Sequence, residues 1–142
     1  MAAVFGGEPD IDAMREEKDF RGLITALRHD KLDIQWHASS ALASLGDEAI
    51  DHLLSALNAR DKDVRLGIIE ALGEIRNPRA VGPLIGLLQD KDNEVRWEAA
   101  LALGEMADPL ALGPLEDALR DPDRYVRYGS ALALEKMGWS PD

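Results

Sequence analysis

The sequence predicts an all-α protein built of stacked helical hairpins, and three observations lead to that fold class. A motif of about thirty-one residues recurs along the 142-residue chain. Within each copy the apolar residues follow helical spacing, and Asn, Asp, Gly and Pro separate the copies. Aromatic residues make up 5% of the chain and hydrophobic residues 46%, so the core is expected to consist of Leu, Ala, Ile and Val.

Two columns of residues establish the repeat. The first begins with one interval of 30 residues and continues at intervals of 31, and its members are Ile34-Gln35, Val64-Arg65, Val95-Arg96 and Val126-Arg127. The second has the same intervals, and its members are Phe20, Ile50, Val81 and Leu112. Because both columns are one residue short at the same end, a single deletion between Leu45 and Ile50 explains both.

The first helix of each hairpin carries one apolar stripe, and the second begins at a capped turn. Stripe positions i, i+4, i+7, i+8 and i+11 are clearest from Val64 to Ile75. Asn77-Pro78 and Asp108-Pro109 supply a helix cap followed by proline at the first position. Pro83 and Pro114 lie close behind and are interpreted as delayed starts of the second helices, since a missing N–H costs least there.

These signals predict a single domain over residues 1–142. Its parts are a flexible N-terminal segment (1–9), a half unit (10–29), three hairpin repeats (30–59, 60–89 and 90–120) and a C-terminal half repeat (121–142). Each hairpin cannot bury its apolar face alone, so stacking on its neighbours is expected to form the core.

Composition excludes several classes of function. The net charge is −11 and the 16 Lys and Arg residues are dispersed, so nucleic acid is not an expected partner. The chain has no cysteine, which excludes disulfides and thiolate chemistry. No apolar run is long enough for a signal peptide or a membrane span, so we expect a cytoplasmic protein that does not bind membranes.

A search for catalytic or metal-binding patterns finds none. The histidines are His29, His37 and His52, and none has a second histidine at i+3 or i+4. The many carboxylates are expected to be solvated surface charge, and no glycine-rich loop follows a strand. The sequence therefore predicts no catalytic residue, no metal site and no cofactor, and a protein that is not an enzyme.

The repeat resembles a known family. Units of the form Asp-x-x-Val-Arg-x-x-Ala-Ala-x-Ala-Leu-Gly, followed by Asp-Pro-x-Ala-x-x-Pro-Leu, are similar to HEAT-like repeats of the phycobilisome-lyase type, and the unit from Asn93 to Leu115 matches closely. The resemblance implies a right-handed α-α superhelix, a HEAT-like solenoid of helical hairpins. For function it is less specific, because the family includes bilin lyases, the iron-dependent deoxyhypusine hydroxylase and modules that only bind proteins.

The hydroxylase comparison can be tested at defined positions. The resemblance places iron-binding His-Glu pairs directly after the Val-Arg position, where this chain has Leu66-Gly67, Trp97-Glu98 and Tyr128-Gly129. In the first unit His37 comes one place late and is followed by Ala38. The sequence therefore predicts that the di-iron site is absent.

The position after each Val-Arg forms what we call the outward column: Trp36, Leu66, Trp97 and Tyr128. Helical phase does not assign this column to the core stripe. The resemblance implies that these helices line a concave surface, on which the predicted protein-binding residues are Trp36, His37, Leu66, Glu70, Trp97, Glu98, Leu101, Tyr125, Tyr128 and Leu132. An apolar strip with an acidic border predicts a protein or peptide partner with basic and apolar residues.

Other interpretations are compatible with the same sequence. Trp36 and Trp97 can instead fold over neighbouring helices and leave no site. A second function is that of a bilin-lyase-like accessory protein, which handles a tetrapyrrole chromophore or its acceptor protein. The repeated arginines can clamp an anion, although hydrogen bonds between adjacent units are the favoured interpretation. A weak homodimer through the C-terminal helix, at Leu134, Met137 and Trp139, is a further hypothesis.

Overall fold

The computed structural model describes residues 4–5 and 7–141, and most of these are helical. The long helices are α3 (Leu32–Leu45), α5 (Lys62–Ile75), α7 (Asn93–Met106) and α9 (Arg124–Lys136). The short helices are α1 (Ile11–Glu16), α2 (Phe20–Ala26), α4 (Ile50–Ser55), α6 (Val81–Leu87) and α8 (Leu112–Ala118). The all-α fold class is thus confirmed, and each predicted repeat range contains one long helix followed by one short helix.

A short β-ladder precedes the helices and was not predicted. Strand β1 (Val4–Phe5) pairs antiparallel with β2 (Glu8–Pro9). Lys31 on the turn before α3 donates to Glu8 Oε2 at 2.9 Å, and this hydrogen bond raises the pKa of Lys31. The predicted flexible segment 1–9 lies partly outside the described residues, and its described part contains this ladder.

The chain divides into two compact units between Ala71 and Leu72, within α5. In the first unit α1, α2 and α3 pack on one another and α4 packs on α2. In the second unit α7 packs on α6 and α9, and α8 packs on α9. The division into repeats stays a prediction.

Leucine and isoleucine fill the interior of both units, as the composition predicts. Fully buried side chains of the first unit are Leu23, Leu27, Leu42, Ile50, Leu53, Ile68 and Ile69. Those of the second unit are Leu72, Leu84, Leu103, Leu115 and Leu134.

The capped turns are confirmed, but they begin 3₁₀ helices. Asn77 Oδ1 accepts from the N–H of Arg79 and opens Pro78–Ala80, and Asp108 does the same for Pro109–Ala111. The α-helices α6 and α8 follow directly. Pro83 and Pro114 are therefore third residues of α-helices, close to the helix starts as predicted, although the α-helices begin at Val81 and Leu112 and not at the prolines. Proline is tolerated there because the first N–H groups of a helix have no intrahelical acceptor.

The predicted deletion coincides with an unusual backbone conformation. In the later units the long helix ends with a left-handed residue, Arg76 at φ 60° or Ala107 at φ 54°. In the shorter unit this place is taken by Gly46, with φ 63° and ψ −138°. Only glycine adopts that combination readily, so losing one residue from the turn requires Gly46.

Two buried serines at neighbouring repeat positions make opposite contributions to stability. Ser39 on α3 donates to the carbonyl of Gly67 at 3.1 Å, whereas the buried Ser130 hydroxyl on α9 has no hydrogen-bond partner among the described residues. We expect Ser130→Ala to raise the free energy of unfolding by about 1 kcal/mol and Ser39→Ala to lower it by about 1 kcal/mol, because only the first removes an unsatisfied group. Urea unfolding followed by circular dichroism measures both. Equal losses in the two variants would contradict this account.

Candidate functional site

In the first unit the outward column is exposed at one residue and half-buried at the other. Trp36 on α3 is 65% exposed, and Leu66 on α5 is half-buried. Glu70 is exposed one turn beyond Leu66. His37 is half-buried and its Nε2 lies 3.0 Å from Asp12 Oδ1, so the predicted binding residue already has an acidic neighbour on α1.

In the second unit, too, one member of the outward column is half-buried and the other is exposed. Trp97 on α7 is half-buried because its indole lies against Gly129 of α9, where a Cβ atom would approach Trp97 Cδ1 to 2.5 Å. Tyr128 on α9 is 62% exposed. Trp36 and Tyr128 of the predicted column are thus exposed to solvent. Trp97 instead packs against a neighbouring helix, as the alternative interpretation of the two tryptophans predicts for it.

The other predicted residues of this unit lie along α7 and α9. Tyr125 is 57% exposed and Leu132 is 39% exposed, whereas Leu101 and Glu98 are half-buried. An apolar groove of about 420 Å³ runs between the two helices. Its lining residues are Leu101, Gly104, Glu105, Leu132, Ala133, Glu135 and Lys136.

Glu105, Glu135 and Lys136 are the charged residues that line this groove. Glu105 accepts from Arg76 Nη2 at 3.2 Å and pairs with Lys136. The hydrogen bond from Lys136 holds the pKa of the Glu105 carboxyl below its ordinary value. Because the folded-state pKa is depressed, the stabilisation is present above the pKa of the unfolded chain and is lost as the pH falls through the folded-state pKa.

A second, smaller pocket lies at the N-terminal ends of α7 and α9. Asn93, Glu94, Trp97, Asp123 and Tyr125 line it. Asn93 and Asp123 are not among the predicted binding residues. Both lie at the start of a long helix, and the sequence gives no sign that they meet.

The repeated arginines make hydrogen bonds within the turns that precede their helices. Arg65, Arg96 and Arg127 each donate from Nη1 to the carbonyl six residues upstream, and Gln35 does the same from Nε2. Arg96 also makes a bidentate pair with Asp121, at 2.9 Å from Nε to Oδ2 and 3.1 Å from Nη2 to Oδ1. The Arg96–Asp121 pair links adjacent repeats, as the favoured interpretation has it, whereas the bonds of Arg65 and Arg127 to carbonyl groups are local.

The proposed dimer surface differs from its prediction at one residue. Leu134 is fully buried within the second unit, so its assignment to an uncovered apolar surface is wrong. Its side chain points toward the interior because α9 packs on both α7 and α8. Met137 and Trp139 are half-buried. The weak homodimer stays a prediction, without Leu134.

Neither a metal-binding cluster nor a membrane-spanning helix is found within residues 4–5 and 7–141. No group of three or more His, Cys, Asp or Glu side chains in this part of the chain could hold a metal ion. None of its helices combines the length and the apolar character that crossing a bilayer requires.

Comparison with protein families gives two matches. The model of HEAT repeats matches residues 50–135, and that of the PBS lyase HEAT-like repeat matches residues 34–59. No curated protein matches the sequence.

Similar solved structures include an enzyme, designed armadillo repeat proteins and engineered proteins. Human deoxyhypusine hydroxylase in complex with glycerol is 31% identical with a TM-score of 0.71, covering 87% of this chain and 44% of its own. This chain therefore spans less than half of that enzyme. A designed armadillo repeat protein in complex with the peptide (KR)4 is 22% identical with a TM-score of 0.61, covering 89% of this chain and 67% of its own. An engineered protein is 25% identical with a TM-score of 0.54, covering 93% of this chain and 68% of its own.

Proposed function

The chain belongs to the HEAT repeat family, and on that premise we propose that it is a binding module that accepts a protein or peptide segment. The observation that carries the proposal is the exposure of large aromatic side chains on the long helices: Trp36 is 65%, Tyr128 62% and Tyr125 57% exposed. Aromatic side chains of this size are enriched among the residues that dominate binding energy at protein interfaces. Contact of these rings with water is unfavourable, and a bound partner would remove the rings from water.

The charge of the chain favours a basic partner. The net charge is −11. Glu70 lies one turn from Leu66 on α5, and Glu94 and Glu98 lie within one turn of Trp97 on α7. Opposite charges on a partner would speed its association and fix its register, while the aromatic and aliphatic side chains would supply the affinity. The partner proposed is therefore a segment that carries both basic and apolar residues, bound in the cytoplasm.

Catalysis is not part of the proposed function. The resemblance to deoxyhypusine hydroxylase extends to the fold, but the positions at which that resemblance implies His-Glu pairs hold Leu66-Gly67, Trp97-Glu98 and Tyr128-Gly129. These side chains offer no ligand pair for a metal.

Peptide selection tests the proposal directly. A displayed library of random twelve-residue peptides would be selected on the immobilised protein, and we expect enrichment of sequences with basic and aromatic or aliphatic residues. The double variant Trp36→Ala/Tyr128→Ala should bind the enriched peptides at least about tenfold more weakly, since each exposed aromatic anchor contributes about 1 kcal/mol or more. Fluorescence anisotropy of labelled peptides measures the affinities.

A matched variant controls for the loss of any exposed apolar residue. Leu110 is 72% exposed but lies in the Pro109–Ala111 turn, so Leu110→Ala should leave binding unchanged. Both variants should melt near the wild type. Equal binding by the wild type and the double variant would refute the proposed surface.

A further inference from the structure

The small pocket between the N-terminal ends of α7 and α9 has the size of one side chain. Its volume is about 180 Å³, below the range of roughly 300–1,000 Å³ typical of small-molecule sites. It cannot admit a helix or a strand, whose backbones are wider. A pocket of this volume suits a single long side chain that projects from a partner bound on the adjoining surface.

Two aromatic rings form its walls. Trp97 is held in place because its indole packs on Gly129, and the Tyr125 ring lies on the first turn of α9. The Tyr125 ring already attracts a cation, since Arg124 Cζ lies 5.1 Å from its centroid. Arg124 does not line the pocket, so the space between Trp97 and Tyr125 is left for another group.

The polar residues of the pocket carry negative charge. Asp123 accepts hydrogen bonds from Asn93 Nδ2 at 2.6 Å and from the N–H groups of Tyr125 and Val126. The bond from Asn93 is the main reason that the pKa of Asp123 is lowered, so this carboxylate stays ionised. Glu94 supplies a second carboxylate at the rim.

This negative charge exceeds the positive charge of the helix ends. Each helix N-terminus contributes a partial charge of about +0.5, so the two ends offset roughly half of the charge of two carboxylates. Among the described residues that line the pocket, Asn93, Glu94, Trp97, Asp123 and Tyr125, none is basic. Arg96 and Arg124 lie nearby without lining the pocket: Arg96 acts electrostatically on Asp123 but is paired with Asp121, and Arg124 lies over the Tyr125 ring. The lining itself is therefore complementary to a cation.

We propose that this pocket binds one arginine side chain of the partner segment. The inference rests on the proposed binding function and identifies one residue of its ligand. The aliphatic stem lies between Trp97 and Tyr125, and the guanidinium faces Glu94 and Asp123. Arginine suits the site better than lysine because its planar, weakly hydrated head group stacks on aromatic faces and can meet two carboxylates at once.

The test uses a probe that contains only this side chain. N-acetyl-L-argininamide would be titrated into the full-length protein while the indole N–H signals of Trp36, Trp97 and Trp139 are followed by NMR. We expect saturable shifts at Trp97 alone, with a Kd on the order of millimolar, as befits a fragment of this size. N-acetyl-L-citrullinamide, the neutral isostere, should give no saturable shift at the same concentrations.

Two variants of equal charge separate the pocket from the general acidity of the chain. Glu94→Gln should weaken binding of the arginine probe about fivefold, whereas Glu116→Gln on the exposed surface of α8 should leave it unchanged. Tyr125→Leu removes one wall and should abolish the saturable shift. Equal binding of the arginine and citrulline probes, equal loss in both glutamine variants, or no saturable shift at Trp97 would overturn the proposal.

Failure of the pocket and failure of the binding function give different results. If selected peptides bind the wild-type protein and Arg→citrulline peptides bind equally well, the pocket is refuted while the binding function stands. If no peptide is enriched but the arginine probe shifts Trp97 with the expected selectivity, the pocket is supported and the larger binding surface is refuted.

Discussion

Gly104→Ala is expected to destabilise the second unit by about 2–3 kcal/mol. A Cβ atom at Gly104 on α7 would lie 2.8 Å from both the Cα and Cβ atoms of Ala133 on α9. The Cα atom belongs to the backbone, so rotation of a side chain cannot relieve the contact. The two helices must separate, which also loosens the packing of Leu103 and Leu134. Thermal melting and urea unfolding measure the loss.

Gly86→Ala is the matched control for this substitution. Gly86 also lies within a helix, α6, but a Cβ atom there would meet nothing within 4 Å. Alanine is the better helix former, so this variant should be more stable than the wild type by about 0.5–1 kcal/mol. If Gly104→Ala is as stable as Gly86→Ala, α7 and α9 do not approach each other as closely as described.

Asp121→Asn is expected to lower the free energy of unfolding by about 2 kcal/mol, because it leaves the Arg96 guanidinium with an incomplete partner. The two side chains are only 15% and 9% exposed, and both bonds of the pair are short. The hydrogen bond to Asp121 is also the main cause of the raised pKa of Arg96. Urea unfolding at low and at high ionic strength checks the prediction. The deficit should change little with salt, since screening acts weakly on a buried pair.

Asp117→Asn controls for the loss of one negative charge. Asp117 is exposed on α8, and its replacement should change stability by less than about 0.5 kcal/mol. If the two variants lose the same amount of stability, or if salt abolishes the deficit of Asp121→Asn, then the Arg96–Asp121 pair is a surface interaction of little weight.

The sequence determines the helices well because their signals are local. The apolar stripe from Val64 onward predicts a helix that the structure places at Lys62–Ile75, and the capped turns at Asn77 and Asp108 are found where expected. The type of helix that follows each cap is harder to predict, because Asn-Pro and Asp-Pro can begin either a 3₁₀ helix or an α-helix. The sequence therefore places Pro83 and Pro114 near the helix starts but does not locate those starts at Val81 and Leu112.

The candidate site is harder to predict, because exposure depends on residues far along the chain. Trp97 and Tyr128 occupy the same repeat position, yet only Trp97 has a glycine on a packed helix to receive its indole. Likewise, the small pocket requires Asn93 and Asp123, which are 30 positions apart and bonded to each other. A single sequence places both residues near the turns between repeats, but it does not show that they meet.

The bonds from the long side chains to carbonyl groups six residues upstream also bear on how the chain folds. Gln35, Arg65, Arg96 and Arg127 each close a turn within a stretch of seven residues. Closing so short a loop costs little chain entropy, and proteins dominated by such local contacts have low contact order and fold quickly. Each turn can therefore form before the helices stack on their neighbours. The side chains that stabilise the folded repeats are thus also expected to favour rapid folding.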